Sequence, residues 1–68
     1  MTFEEKLKEL RQKSGLNQNQ TAEAVGITLR QYQRFEKGEQ RPGYENLIKI
    51  ADHFDVSFDW LTGRSEER

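Results

Sequence analysis

The 68 residues include no cysteine, so neither a disulfide framework nor a thiolate-ligated zinc site can brace the fold. A single proline and five glycines are too few for a flexible linker or a low-complexity segment, and no internal repeat is visible. Hydrophobic residues are also scarce, 32% against 34% charged, and no apolar run approaches the length that an export signal or a bilayer crossing needs. The expected location is therefore the cytoplasm. What remains possible is one domain, residues 1–68, ordered over about 2–63 with 64–68 as a polar tail. It has one small core that must stabilise itself, a composition suited to short amphipathic helices.

Charge of one sign is lacking too. The net value of −1 argues, taken alone, against a nucleic-acid partner, because counterion release from phosphates drives non-specific DNA binding. The distribution is less even: residues 1–44 carry eight Lys/Arg against six Asp/Glu, and residues 45–68 carry three against six. Such polarity suits a basic face turned to DNA with an acidic half turned away, although a solvated surface gives the same count.

Five helices can be read along the chain. Phe3, Leu7 and Leu10 recur at helical spacing, Thr2 and Glu5 form a capping-box pattern, and Gly15 follows Ser14 as a stop. Asn17 caps a short second helix over Gln18 to about Val25, ended by Gly26. Thr28 caps a third over Leu29 to Lys37, with Tyr32 and Phe35 inward, Leu29 marginal, and Gly38 as its stop. The segment EQRPGY, residues 39–44, reads as an exposed loop. A fourth helix carries Leu47, Ile48, Ala51 and Phe54, and a last short one starts after Ser57 with Phe58, Trp60 and Leu61.

The informative constellation is the pair of helices meeting at Gly26. Ala22 is small enough for close helix crossing, and Val25, Ile27, Tyr32 and Phe35 can form the buried corner. The outward face of the third helix then carries Arg30, Gln31, Gln33, Arg34 and Lys37. Arginine donates bidentately to guanine O6 and N7, and glutamine pairs with adenine N6 and N7, so this face has the chemistry of base readout.

Over nearly the whole chain, from LKELRQKSGLNQNQTAEAVGIT through QYQRFEKGEQRP to IADHFDVSFDWLTGR, the sequence resembles the phage repressor and Cro-like helix-turn-helix proteins, the Xre family. The resemblance implies an all-α, compact five-helix bundle of lambda-repressor-like type. It implies that Gln18 bonds a phosphate, that Thr28 approaches the backbone at the groove edge, and that Leu29, Arg30 and Arg34 face bases, joined by Gln33. Lys37, Gln40, Arg41 and Tyr44 would lie near phosphates beyond the third helix. Arg11 and Glu36 match a largely buried ion pair of that family, which would tie the first helix to the end of the third. The implied function is a repressor, bacterial or phage-encoded, that binds operator DNA as a homodimer on half-sites roughly 34 Å apart.

Three positions depart from the family pattern. Thr21 stands where a leucine is usual, which makes the second helix less apolar and costs some stability. Tyr32 replaces a small aliphatic residue, and its hydroxyl must find water or a partner. Leu29 replaces a commonly polar first reading residue, so the expected contact there is apolar, with a thymine methyl.

Other readings are weaker. Tyr32, Phe35, Phe54 and Trp60 lie on apolar helical faces and read as core, not as base-stacking platforms. His53, the only histidine, reads as a surface or cap residue without metal-binding company. An enzyme is not expected: Ser14, Ser57 and Ser65 have no neighbouring histidine, Asp52, Asp55 and Asp59 read as helix-end charges, and no phosphate loop occurs. No cofactor, metal or small-molecule substrate is expected. The alternative is a protein-interaction module, an antitoxin or adaptor on the same fold, using a surface such as Phe54 to Leu61. The polar ending TGRSEER offers no long dimerisation helix. It fits either a complete chain of Cro-like or controller type or an N-terminal domain of a longer repressor.

Overall fold

Each helix begins at a residue whose side chain replaces the missing intrahelical partners of the first turn, α4 excepted. In the computed structural model, which describes residues 1–68, α1 spans Phe3–Ser14, α2 Gln18–Val25, α3 Leu29–Lys37, α4 Tyr44–Phe54 and α5 Phe58–Leu61. Thr2, Asn17 and Thr28 each accept a bond from the backbone N–H three residues on. Glu5, Gln20 and Gln31 reach back in return, so α1, α2 and α3 all open with a complete capping box. α4 starts at Gly43 with no side-chain cap, and Ser57 caps α5.

The core forms where four apolar helix faces and α5 converge. Leu7, Tyr32, Ile50 and Leu61 lose all exposure to solvent, and Phe3, Leu10, Ala22, Val25, Phe35, Ala51 and Trp60 close around them. α3 packs on both α1 and α2, α2 also touches α4, and α5 folds back on α4. Fourteen buried residues make a small core, so each polar group inside it weighs heavily in the balance of stability. Thr21 is wholly buried, but its hydroxyl donates to the Asn17 carbonyl at 2.9 Å, which limits the cost of the missing leucine.

Four features differ from the sequence reading. Ile50, not singled out by periodicity, is a fully buried residue of α4, whereas Leu47, Ile48 and Phe54 are only half-buried. Pro42 is buried within the loop read as exposed, because the chain after α3 runs against the start of α1, with Gly38 beside Glu4 and Arg41 near Phe3. Lys6, a charged residue that the sequence reading does not assign to the core, is buried: its Nζ donates to the Trp60 carbonyl at 2.6 Å and lies 4.9 Å from the indole centre. The polar segment 64–68 folds back, with the Ser57 N–H donating to the Arg68 carbonyl at 3.2 Å and the Arg68 guanidinium 4.7 Å from the centre of the Trp60 ring.

Candidate nucleic-acid interface

The orientation of α3 follows from the three residues that separate it from α2. Gly26 has a φ of 91°, in the left-handed region that penalises a Cβ, and its N–H and that of Ile27 both donate to the Ala22 carbonyl, at 2.9 and 3.0 Å. Ala22 is almost fully buried and lets α3 cross closely. With Tyr32 and Phe35 turned inward, Arg30, Arg34 and Lys37 emerge on the opposite face, and Gln40 and Arg41 follow in the exposed part of the loop. None of these four cations is held in an ion pair within the protein. Leu29 is 37% exposed at the start of the helix, and Tyr44 is largely exposed, edge-on to Phe58 at 5.6 Å between centroids.

Two outward residues of α3 are less free than they look in sequence. Gln31 folds back to cap the helix, its Oε1 accepting from the Thr28 N–H at 3.2 Å and from the Thr28 hydroxyl at 3.3 Å. That leaves Gln31 poorly placed to extend into a groove. Thr28 itself accepts from the Gln31 N–H at 3.1 Å, so its hydroxyl is committed to starting the helix.

Behind this face lies a connected polar network. Arg11 Nε donates to Glu36 Oε2 at 2.7 Å and Arg11 Nη2 to Oε1 at 3.2 Å, a bidentate pair whose side chains are 15% and 5% exposed. The remaining Arg11 Nη1 donates to the Leu16 carbonyl, fixing the turn into α2. Gln18 Nε2 donates to the same Glu36 Oε1 at 3.3 Å, and Gln33 Nε2 donates to Gln18 Oε1 at 3.3 Å. Burial works against the Glu36 charge, but the bonds from Arg11 and then Gln18 outweigh it and hold the carboxyl below its usual range. The bond to Glu36 raises the Arg11 pKa in turn. Tyr32 is fully buried with its hydroxyl beside this pair, yet no partner meets it in hydrogen-bonding geometry. Burial, and then the Glu36 carboxylate, push its ionisation upward.

The structure thus brings Arg11, Glu36, Gln18 and Gln33 into one cluster, while Arg30, Arg34 and Lys37 stand exposed on α3 and Gln40 and Arg41 stand exposed in the loop after it. The bonds joining Gln18 to Glu36 and Gln33 span 18 and 15 residues of sequence, and no local pattern announces them. No three His, Asp or Glu side chains converge as a metal site would require. Two open hollows, about 340 and 190 Å³, lie beside Lys6, the larger of them against Trp60, and offer no nucleophile paired with a base. No helix is long and apolar enough to cross a membrane.

Comparison with known proteins bears on this arrangement. A helix-turn-helix family model matches residues 7–61. The chain is 42% identical over 64 residues to the cryptic phage CTXphi transcriptional repressor RstR of Vibrio cholerae, covering 94% of this chain and 57% of that protein. It is 40% identical over 67 residues to the uncharacterized HTH-type transcriptional regulator YqaE of Bacillus subtilis, covering 97% and 58%. The chain therefore spans little more than half the length of these curated relatives. Among solved structures, a transcriptional regulator from Listeria innocua superposes with a TM-score of 0.84 at 34% identity, covering 98% of this chain and 63% of that one. The P22 c2 repressor, solved in complex with a synthetic operator, superposes with a TM-score of 0.88 at 23% identity over 96% and 98% of the two chains. That last likeness is one of fold: five helices and no strands, in the lambda-repressor-like arrangement expected from the sequence.

Proposed function

The chain belongs to the helix-turn-helix family, and from that membership we propose that it is a sequence-specific double-stranded DNA-binding regulator of transcription that acts as a repressor. α3 enters the major groove. Leu29, Arg30, Gln33 and Arg34 meet base edges, Leu29 through a thymine methyl, Gln18, Lys37, Gln40, Arg41 and Tyr44 fix register on phosphates, and Thr28 approaches the DNA backbone at the groove edge. The observation that carries this reading is the set of exposed cations outside any ion pair, Arg30, Arg34 and Lys37 on the face of α3 opposite Tyr32 and Phe35 and Arg41 in the loop that follows, on a helix anchored through the Arg11–Glu36 pair. A protein without a net positive charge gains affinity for DNA only if its positive side chains are gathered and left unneutralised.

Repression needs no chemistry, since occupying an operator that overlaps a promoter excludes the transcription machinery. One copy spans too few base pairs for useful selectivity, so the protein acts as a homodimer on half-sites roughly 34 Å apart, in the cytoplasm of a bacterium. The test is enrichment of duplexes from a randomised pool, followed by anisotropy titrations at several salt concentrations beside Arg30→Ala and Arg34→Ala. A two-fold symmetric site with salt-sensitive affinity lost in both variants supports the reading. Absence of enrichment, with no dependence on either arginine, favours a protein partner instead, on a surface such as Phe54 to Leu61.

A further inference from the structure

We propose that Gln33 is held as an adenine reader by a polarised run of hydrogen bonds from Arg11 through Glu36 and Gln18, which makes Glu36 and Gln18 positioning residues for base selection. This rests on the reading of α3 as the base-contacting helix. A glutamine amide turned over by 180° exchanges its donor and acceptor, so a free glutamine facing a base pair presents either edge. Selectivity is gained when something fixes the turn.

Glu36 supplies the fixed point. An ionised carboxylate only accepts, and Arg11 holds it in place with two bonds at 2.7 and 3.2 Å while the helices shield it from water. The edge of Gln18 facing Glu36 must therefore be its N–H side, as found at 3.3 Å. That turns Gln18 Oε1 toward α3, where a carbonyl oxygen takes only a donor, so Gln33 must present Nε2, again at 3.3 Å. One Gln33 amide proton is used in that bond. In the proposed arrangement that bond uses the proton anti to Oε1, which leaves the syn proton and Oε1 as a donor–acceptor fork. This fork matches adenine, whose N6 donates and N7 accepts, and mismatches guanine, whose O6 and N7 both accept. Gln33 is only partly exposed, as an anchored reader should be, in contrast to the exposed Arg30 and Arg34. Gln18 keeps its second Nε2 proton for a phosphate, so its two roles do not compete.

The experiment uses the enriched site with each half-site base pair permuted in turn, titrated with wild type, Gln33→Ala, Gln18→Met and the double variant. Gln18→Met keeps the length of the side chain and removes both bonds. Gln33→Ala is expected to lower the preference for adenine over guanine at one position by about tenfold. Gln18→Met should lower the preference at that same position several-fold and leave the Arg34-dependent position unchanged, and the double variant should be no worse there than Gln33→Ala. A phosphate bond made by Gln18 is common to all duplexes, so its removal weakens them alike and cancels in the ratio. Without DNA, the Gln33 side-chain amide protons should be protected from exchange in wild type, with one of them shifted, and should lose both signatures in Gln18→Met. Base preference or amide protection unaffected by Gln18→Met, in a protein that still binds its site, overturns the proposal. Loss of all sequence-selective binding in wild type would instead overturn the functional reading, and this proposal with it.

Discussion

At the scale of single residues, stability turns on polar groups sealed into a small core, and two of them make opposite predictions. The Thr21 hydroxyl is matched by a carbonyl, whereas the Tyr32 hydroxyl has no partner in bonding geometry. An unmet buried donor costs about 1–3 kcal/mol, while the ring around it contributes as any aromatic core residue does. Tyr32→Phe is therefore expected to unfold at an equal or higher urea concentration than wild type, by up to about 1 kcal/mol. A loss of that size would mean that the hydroxyl bonds Glu36 in solution. Glu36 gives a pH test. Its carboxyl is held below its ordinary value of 4.5, so the folded state binds fewer protons than the unfolded one. The stabilisation is then fully present above about pH 4.5 and lost as pH falls through the lower folded value. Thermal unfolding between pH 7 and pH 3 should show a smaller acid-induced loss for Glu36→Gln than for wild type. The comparison isolates Glu36 from Glu4, Glu5 and Glu9, whose lowered values act in the same direction.

At the scale of elements, helix ends were legible in sequence because their chemistry is local. The boxes Thr2–Glu5, Asn17–Gln20 and Thr28–Gln31 each close within one turn, and the stops at Gly15, Gly26 and Gly38 follow from backbone preference alone. What failed to show was decided by tertiary packing. Lys6 has the composition of a solvated residue, but Trp60, 54 positions later, brings it a carbonyl and a ring face. Ile50 is buried because α4 presents that side to the bundle. The candidate site divides in the same way. The face of α3 could be read from the period of Tyr32 and Phe35, but the bonds from Glu36 through Gln18 to Gln33 required the fold. Two stops then predict opposite signs. Gly26→Ala meets no atom within 4 Å but must sit at a φ of 91°, costing about 1–2 kcal/mol. Asp55, the one non-glycine residue with positive φ, ends α4 at 54° and sets a carboxylate against the negative end of the helix. Asp55→Gly should stabilise by about 1 kcal/mol, and urea midpoints for the pair check both signs.

At the scale of the whole molecule, the difficulty is how a chain of net charge −1 would hold a polyanion at physiological salt. The acidic excess lies in residues 45–68, whereas α3 carries Arg30, Arg34 and Lys37 against a single acid, Glu36, that Arg11 pairs, so the local balance on α3 is positive although the whole chain is not. Its cations then fall into two classes that one pair of variants separates. In the proposed complex Arg34 on α3 meets base edges, and Arg34→Ala should cost about 1–3 kcal/mol on the preferred site and relax choice at one position. Arg41 in the loop meets phosphate in that proposed complex. Arg41→Ala should weaken preferred and random duplexes by the same factor and reduce the slope of log affinity against log salt by about 1, the release of one counterion fewer. Titrations of both duplexes across a range of salt concentrations decide the division. Equal losses on specific and random DNA for both variants would place Arg34 on phosphate as well and remove α3 from base readout.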